Sequence, residues 1–131
     1  MILLDTDVLI EIEHGNDAII GKLAELRQTN PGNITITSAV YAEFVFGYVQ
    51  QNKMPPPQLD LFDVVDFDKE SALVFARKKR ELEQKGKPVP IFDLITASCA
   101  ITQSSLLVSM DQHYQEISGL KLILLSRDEI E

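Results

Sequence analysis

The chain has 131 residues and a formal net charge of −8, with 45 % apolar and 24 % charged residues. This length and mixture exclude a disordered chain and predict one domain, residues 1–131, with a substantial hydrophobic core. The negative charge opposes non-specific binding of nucleic acid by the molecule as a whole, although it permits a local basic surface.

The sequence predicts neither a membrane helix nor a secretory signal. No apolar run approaches the roughly 20 residues that a membrane helix needs. The N-terminus lacks the basic region and long apolar stretch of a signal peptide. Cys99 is the only cysteine, so no internal disulfide can form and the reducing cytoplasm is the expected location.

Short apolar runs alternate with segments of helical periodicity along the whole chain. Thr6 or Asp7 is predicted to cap the first helix, Ser38 the third and Asp68 the fourth. The prolines of residues 54–57 (MPPP) predict a rigid loop within the domain. Strands are predicted at 1–5, 33–37, 61–67, 105–109 and 120–125, and helices at about 6–14, 16–29, 39–50, 68–86, 92–103 and 111–117.

Strands separated by helices imply parallel pairing with crossover connections. The apolar strands, which barely alternate with polar residues, are typical of a sheet covered on both faces. The predicted fold is therefore a three-layer α/β/α sandwich with a mainly parallel central sheet.

Two acidic residues follow directly after strongly apolar strands. Asp5 ends the first predicted strand, and Asp111 follows the strand at 105–109. Because ligands of open parallel sheets bind beyond the carboxyl ends of the strands, both acids are expected at the ligand-binding edge.

Two further acids lie on helix faces made of small residues. Glu43 stands in an apolar helix, one turn from Ala39 and one turn from Gly47, and Gly47 is interpreted as allowing close approach of another element. An acid among such apolar neighbours is costly to bury without compensation. Asp93 lies in the first turn of its helix, where the helix dipole favours a carboxylate.

These four acids are predicted to converge. Clustered carboxylates repel one another and partly protonate unless cations neutralise them. A cluster of oxygen ligands suits Mg²⁺ or Mn²⁺, and the usual chemistry of such a site is hydrolysis of phosphodiester bonds with water as the nucleophile.

Each acid also has a purely structural interpretation. Asp5, Asp93 and Asp111 can serve as helix caps or turn residues, and for Asp7 capping is a sufficient explanation. His113 is interpreted as a surface or structural residue, not as a ligand. The basic segment 77–87 is interpreted as a solvated helix face paired with neighbouring glutamates, although it is also a candidate for binding RNA phosphates.

Four segments together resemble the PIN-domain ribonucleases, particularly toxins of the VapC type. The resemblance spans nearly the whole chain, and it is specific because the segments occur in this order in a chain of this length. The segments are LLDTDVLI, SAVYAEFVFG, IFDLITASCAI and LLVSMDQHYQEISGLKLI.

The resemblance implies a cytoplasmic, Mg²⁺- or Mn²⁺-dependent endoribonuclease, often a homodimer, that is inhibited by a cognate antitoxin protein. By position it implies that Asp5, Glu43, Asp93 and Asp111 hold the metal. It further implies that Ser109 and Thr6 are site residues that orient a ligand or water.

The chain departs from the family pattern at three places. Tyr114 stands where Phe is commoner, Ser109 replaces the commoner Thr, and the stretch after Gly47 is short and proline-rich. None of these changes affects the four acids, but the last bears on the choice of substrate and on the partner-binding surface.

Two other functions compete with this interpretation. The sequence Asp5-Thr6-Asp7 resembles the start of haloacid-dehalogenase-type phosphatases, but those carry Thr where this chain has Leu9. Alternatively, the same fold could be a non-catalytic module that binds RNA or protein, in which case retention of all four acids has no explanation.

Overall fold

A fully parallel five-stranded sheet forms the centre of the structure, a computed structural model that describes residues 1–126. The strands are β1 (Ile2–Leu4), β2 (Ile34–Thr37), β3 (Asp63–Val65), β4 (Leu106–Ser109) and β5 (Lys121–Leu124). Their spatial order is β3-β2-β1-β4-β5, and each neighbouring pair runs parallel. The first strand therefore lies in the middle, between β2 and β4.

Five α-helices connect the strands, and two short 3-10 helices lie in the longer connections. The α-helices are α1 (Thr6–Glu13), α2 (Asp17–Thr29), α3 (Ser38–Gln50), α4 (Lys69–Lys85) and α5 (Ile91–Thr102), and the 3-10 helices are Pro57–Leu61 and Gln112–Glu116. Among residues 1–126, no helix combines the length and the apolar character that a membrane crossing requires.

The central strand supplies side chains to two separate hydrophobic cores. Ile2 and Leu4 pack with apolar residues of α1, α2 and α3 on one face of the sheet. Leu3 points to the other face and packs with residues of α4 and α5. This alternation follows from the two-residue period of a strand. The predicted three-layer sandwich with a parallel sheet is confirmed.

Two predicted helix caps lie closer to the preceding strand than expected. Thr37, not Ser38, caps α3, because its hydroxyl accepts a hydrogen bond from the Val40 amide at 3.1 Å. Asp5, not Thr6 or Asp7, occupies the N-cap position of α1. In both cases the last strand residue, or the residue directly after it, also starts the helix, which leaves no connecting loop.

The strand predicted at 61–67 is shorter than expected. Pro57 starts a 3-10 helix that includes Leu61, so the strand itself spans only Asp63–Val65. Pro57 has the fixed φ that favours the first position of a helical turn, and it lacks only an amide that would be unpaired there. The predicted cap of α4 is confirmed, since the Ser71 amide donates to Asp68 at 2.8 Å.

Thr37 connects two elements that carry candidate site residues, and we expect its hydroxyl to stabilise the fold. The hydroxyl caps α3 and lies 2.9 Å from the Thr96 hydroxyl of α5, where both groups are buried. Thr37→Val, which keeps the shape, should lower the free energy of unfolding by about 1 to 2 kcal/mol. Urea denaturation measures the change.

Thr96→Val is the matched control, because it removes the hydroxyl pair and leaves the cap intact. We expect it to cost only about 1 kcal/mol or less. Equal destabilisation by the two variants would mean that the cap contributes nothing.

Candidate metal centre

Asp5 stands at the carboxyl end of the central strand. Leu4 of β1 is in register with Val108 of β4, and the Asp5 amide donates to the Val108 carbonyl oxygen at 3.0 Å. The polypeptide turns into α1 at the next residue. Asp5 is thus held by the last backbone contact between two central strands, and its side chain is only 4 % exposed.

Two hydroxyl groups hold the Asp5 carboxylate, one on each oxygen. Ser109 donates to Oδ2 at 2.8 Å, and Tyr114 donates to Oδ1 at 3.0 Å. Burial raises the pKa of Asp5 above its ordinary value, and the nearby charge of Asp111 raises it further, whereas the bonds from Ser109, the Thr6 amide and Tyr114 lower it. The hydroxyl groups therefore favour the charged form against the effect of burial.

Ser109 also fixes the second strand-end acid. The Asp111 amide donates to the Ser109 hydroxyl at 2.9 Å, so one hydroxyl group connects Asp5 with the backbone of Asp111. The Asp111 carboxylate Oδ1 accepts from the His113 amide at 2.9 Å and lies 2.8 Å from the His113 ring Nδ1. The imidazole is about half exposed and belongs to the rim of the site.

Glu43 reaches the same edge of the sheet from α3. Thr6, the first residue of α1, donates its hydroxyl to Glu43 Oε1 at 2.9 Å. Partial burial raises the pKa of Glu43, and the charge of Asp5 acts in the same direction, while the Thr6 hydroxyl lowers the pKa. The carboxylates of Asp5 and Glu43 are therefore close enough to repel each other.

Asp93 is repelled by three other acids of the site. Burial raises its pKa to about 7, and the charges of Asp5, Asp111 and Glu43 each contribute to the increase. Carboxylate oxygens of Asp93 and Asp111 lie within 4.8 Å of each other, so the two groups are close enough to repel. Asp93 is therefore the place where the fields of the other three acids sum.

Asp7 lies inside α1 and is not its N-cap. One oxygen accepts from the Val8 amide at 2.7 Å within α1, and the other accepts from the Met110 amide at 3.2 Å. Burial and the charge of Asp5 raise its pKa to about 6. Asp7 thus connects α1 to the turn that carries Asp111, and it adds a fifth acid to the neighbourhood.

The donor set fits a divalent cation. Atoms of Asp93, Asp111 and His113 lie within 4.8 Å of one another, so one ion can contact all three. Within residues 1–126, no lysine or arginine forms an ion pair with the four predicted acids. Oxygen-rich sites of this composition suit Mg²⁺ or Mn²⁺.

The structure brings all six predicted site residues to one edge of the sheet. Their side chains form two hydrogen-bonded groups, and repulsion on Asp93 connects them. One group is Asp5, Ser109 and Asp111, and the other is Glu43 and Thr6. Ser109 and Thr6, predicted to orient a ligand or water, donate their hydroxyl groups to the carboxylates of Asp5 and Glu43.

Two residues of the site were not identified from the sequence. The sequence predicts His113 to be a surface or structural residue, and it distinguishes Tyr114 only as a departure from the family pattern. The position of His113 two residues after Asp111 was a usable signal, since a short turn brings such neighbours together. Nothing local indicated that the Tyr114 hydroxyl would reach Asp5, which lies 109 residues away in the chain.

The interpretation of Gly47 was wrong. A side-chain carbon placed on Gly47 would have no neighbour within 4 Å among the described residues, so no element approaches it closely. Gly47 instead lines an open groove beside Glu43.

Three of the six basic residues in the segment 77–87 contact other groups of the chain, and two of them pair with neighbouring glutamates as the interpretation of a paired helix face predicts. Lys78 contacts Glu81 and Ser118, Lys79 contacts Glu83 at 2.8 Å, and Lys85 donates to a backbone carbonyl oxygen.

Comparisons with known proteins agree with this geometry. The sequence profile of the PIN domain matches residues 2–120. Ribonuclease VapC2 of Rickettsia felis is 32 % identical over 128 residues, which cover 92 % of this chain and 94 % of that protein. The tRNA(fMet)-specific endonuclease VapC of Shigella flexneri is 25 % identical over 127 residues, covering 91 % and 93 % of the two chains.

Solved structures show the same fold. VapBC2 from Rickettsia felis, bound to a DNA fragment from their promoter, matches with a TM-score of 0.81 and 28 % identity over 96 % of this chain and all of that one. FitAcB from Neisseria gonorrhoeae matches in fold, with a TM-score of 0.76 and 21 % identity over 94 % and 96 % of the two chains. The protein belongs to the PIN-domain family, and within it to the VapC-type proteins.

Proposed function

We propose that the protein is a divalent-cation-dependent endoribonuclease and the toxin of a toxin–antitoxin pair. One observation carries the proposal: four carboxylates from four separate elements meet at one sheet edge, where no described lysine or arginine pairs with them. The relationship to Ribonuclease VapC2 supports RNA as the substrate. A phosphatase of the haloacid-dehalogenase type is disfavoured by Leu9, which stands where those enzymes carry Thr, and a purely structural role gives no reason for this concentration of negative charge.

Asp5, Glu43, Asp93 and Asp111 would hold Mg²⁺ or Mn²⁺. The cation, when bound, supplies the positive charge that activates water and stabilises the leaving oxygen. The hydroxyl groups of Ser109 and Thr6 keep the carboxylates of Asp5 and Glu43 oriented toward that role. No side chain of the protein acts as a nucleophile, because hydrolysis needs only water attack on phosphorus and cleavage of one P–O bond.

The acidic site also imposes a condition on substrate binding. RNA is a polyanion, and the phosphodiester group would be repelled by uncompensated carboxylates. Charge neutralisation at Asp93, which has a pKa of about 7 in the absence of a cation, would therefore precede productive RNA binding. We therefore expect the protein to bind RNA more tightly when the cation is present than when it is absent.

A small antitoxin protein is the proposed partner, and the cytoplasm, where Cys99 stays reduced, is the proposed location. Support for the partner comes from the likeness to VapBC2, in which a VapC-type chain is assembled with a second protein. The expected homodimer remains a prediction. The product of a small reading frame next to this gene should suppress the RNA cleavage when the two proteins are mixed.

Asp93→Asn should abolish RNA cleavage. The change preserves shape and removes the charge at the point where the acids converge. Loss of a hydrogen-bond partner outside a metal's ligand sphere already costs about 10- to 100-fold, so removal of a ligand should lower the rate by more than about 100-fold. Cleavage of structured and unstructured RNAs is measured with Mg²⁺ or Mn²⁺.

Asp60→Asn is the matched control, because Asp60 is exposed and lies in the first 3-10 helix, away from the site. It should cleave at the wild-type rate. Equal cleavage by Asp93→Asn and wild type would point to a contaminating nuclease and refute the proposal. RNA binding without cleavage by the wild type would instead favour the non-catalytic module.

The cation-free protein should lose stability as the pH rises toward neutrality. The pKa of Asp93 is raised from 3.8 to about 7, so between these values the native state retains a proton that the unfolded state has released. The free energy of unfolding therefore falls with rising pH across this window. Urea midpoints measured with a chelator from pH 5 to 8 test this, and Mn²⁺ above pH 7 should reverse the loss.

Asp93→Asn again provides the control, since the amide does not titrate. Its urea midpoint should change less with pH than that of the wild type. Parallel curves for the two proteins would show that Asp93 titrates normally.

A further inference from the structure

Tyr114 lies on the 3-10 helix Gln112–Glu116, and its side chain is only 1 % exposed. Its ring is part of the core on the α4–α5 face of the sheet, packed with residues such as Leu3, Leu94 and Leu107. A buried tyrosine hydroxyl needs a hydrogen-bond partner. Here the partner is the Oδ1 atom of Asp5, at 3.0 Å.

The two hydroxyl groups on Asp5 act on different oxygens. Ser109 donates to Oδ2 and Tyr114 to Oδ1, so rotation of the carboxylate about its Cβ–Cγ bond breaks both contacts at once. Each oxygen accepts one of these bonds and retains capacity for another ligand. The carboxylate is thus fixed in orientation and still able to bind a cation.

The Tyr114 hydroxyl functions as a permanent donor at this site. Burial raises the pKa of the phenol far above its ordinary value, and the charge of Asp5 raises it further. A phenol that keeps its proton can hydrogen-bond to Asp5 only as long as an oxygen of Asp5 accepts. The proton of the Tyr114 hydroxyl therefore stays available for the bond that fixes the orientation of Asp5.

Both donors lie on the same short segment as Asp111. Ser109 precedes Asp111 by two residues, and Tyr114 follows it by three. The segment therefore carries one candidate ligand and also holds another, Asp5, from a different strand. Displacement of the segment would move Asp111 and release Asp5 together.

We propose that Tyr114 is a positioning residue of the metal centre, whose hydroxyl holds the Asp5 carboxylate in the orientation that binds the cation. The inference depends on the proposed metal site, and it goes further by assigning a role to a hydroxyl group that the commoner phenylalanine lacks. Packing alone requires only the ring. The hydroxyl is an addition directed at one atom of the site.

Tyr114→Phe tests the proposal, because it retains the ring in the core and removes one oxygen. Binding of Mn²⁺ to the intact protein is measured without RNA by electron paramagnetic resonance of the free ion. We expect affinity to fall by about tenfold or more, as is typical when a hydrogen-bond partner of a metal ligand is removed. The spectrum of the bound ion should also change, because Asp5 is no longer fixed.

Tyr48→Phe is the matched control, since its phenol interacts with a carboxylate outside the proposed site, that of Glu13. This variant should bind Mn²⁺ as the wild type does. Ser109→Ala should weaken binding, and the loss in the double variant with Tyr114→Phe should differ from the product of the single losses, because both hydroxyl groups act on Asp5. Wild-type affinity and spectrum in Tyr114→Phe would overturn the proposal.

A measurement on the unaltered protein keeps the proposal testable if Tyr114→Phe does not fold. The chain has three tyrosines, Tyr41, Tyr48 and Tyr114, and the ring carbon that bears the hydroxyl can be labelled with ¹³C. The Tyr114 resonance, assigned by elimination with Tyr41→Phe and Tyr48→Phe, should shift when Mg²⁺ binds. A resonance that does not change while Mg²⁺ binds would overturn the role of Tyr114.

The result separates this inference from the proposed function. A wild-type protein that binds no Mn²⁺ refutes the metal site and the inference with it. A wild-type protein that binds Mn²⁺ as tightly as Tyr114→Phe leaves the nuclease proposal intact and refutes only the role of the hydroxyl.

Discussion

Repulsion among carboxylates at the carboxyl edge of the sheet is the constraint on which the rest of the structure depends. The pKa of Asp93, raised to about 7 by burial and by three other acids, shows how strongly the site favours neutralisation. Such a site is stable because each acid belongs to a strand, helix or turn whose other residues are held by packing away from the site. β1 contributes to both hydrophobic cores, so Asp5 cannot relax without disturbing two layers of side chains.

The order of the strands determines where the acids meet. From β1 the chain adds β2 and β3 on one side and later β4 and β5 on the other. The junction between β1 and β4 is therefore the place where the two directions separate, and crevices at such points bind ligands in parallel sheets. Asp5 and Asp111 follow the two strands of this junction. The helices α3 and α5, joined by the buried Thr37–Thr96 contact, bring Glu43 and Asp93 to the same edge.

Local patterns in the sequence predict the order of the elements and the convergence of the four acids, and the family resemblance adds Ser109 and Thr6, but neither indicates the contact made by the Tyr114 hydroxyl. An apolar run followed by Asp5 or Asp111 is a signal within one segment. The bond from Tyr114 to Asp5 joins positions 109 residues apart, and only the folded sheet brings them together. The interpretation of Gly47 was wrong for a different reason. A small residue on a helix permits the close approach of another element but does not require it. The caps lie closer to the preceding strand than expected because strand and helix join without a loop.

The comparison of Tyr114 with phenylalanine shows how a site can acquire a hydrogen bond without a new scaffold. The ring belongs to the core on the α4–α5 face, and the hydrophobic contacts of a phenylalanine would be nearly the same. Core packing therefore does not distinguish the two residues. A hydroxyl group buried there is tolerated only with a partner, and the carboxylate of Asp5 is one that benefits from a donor, because burial opposes its charge. The core thus fixes the position of the ring, and the ring in turn fixes the direction from which Asp5 is held.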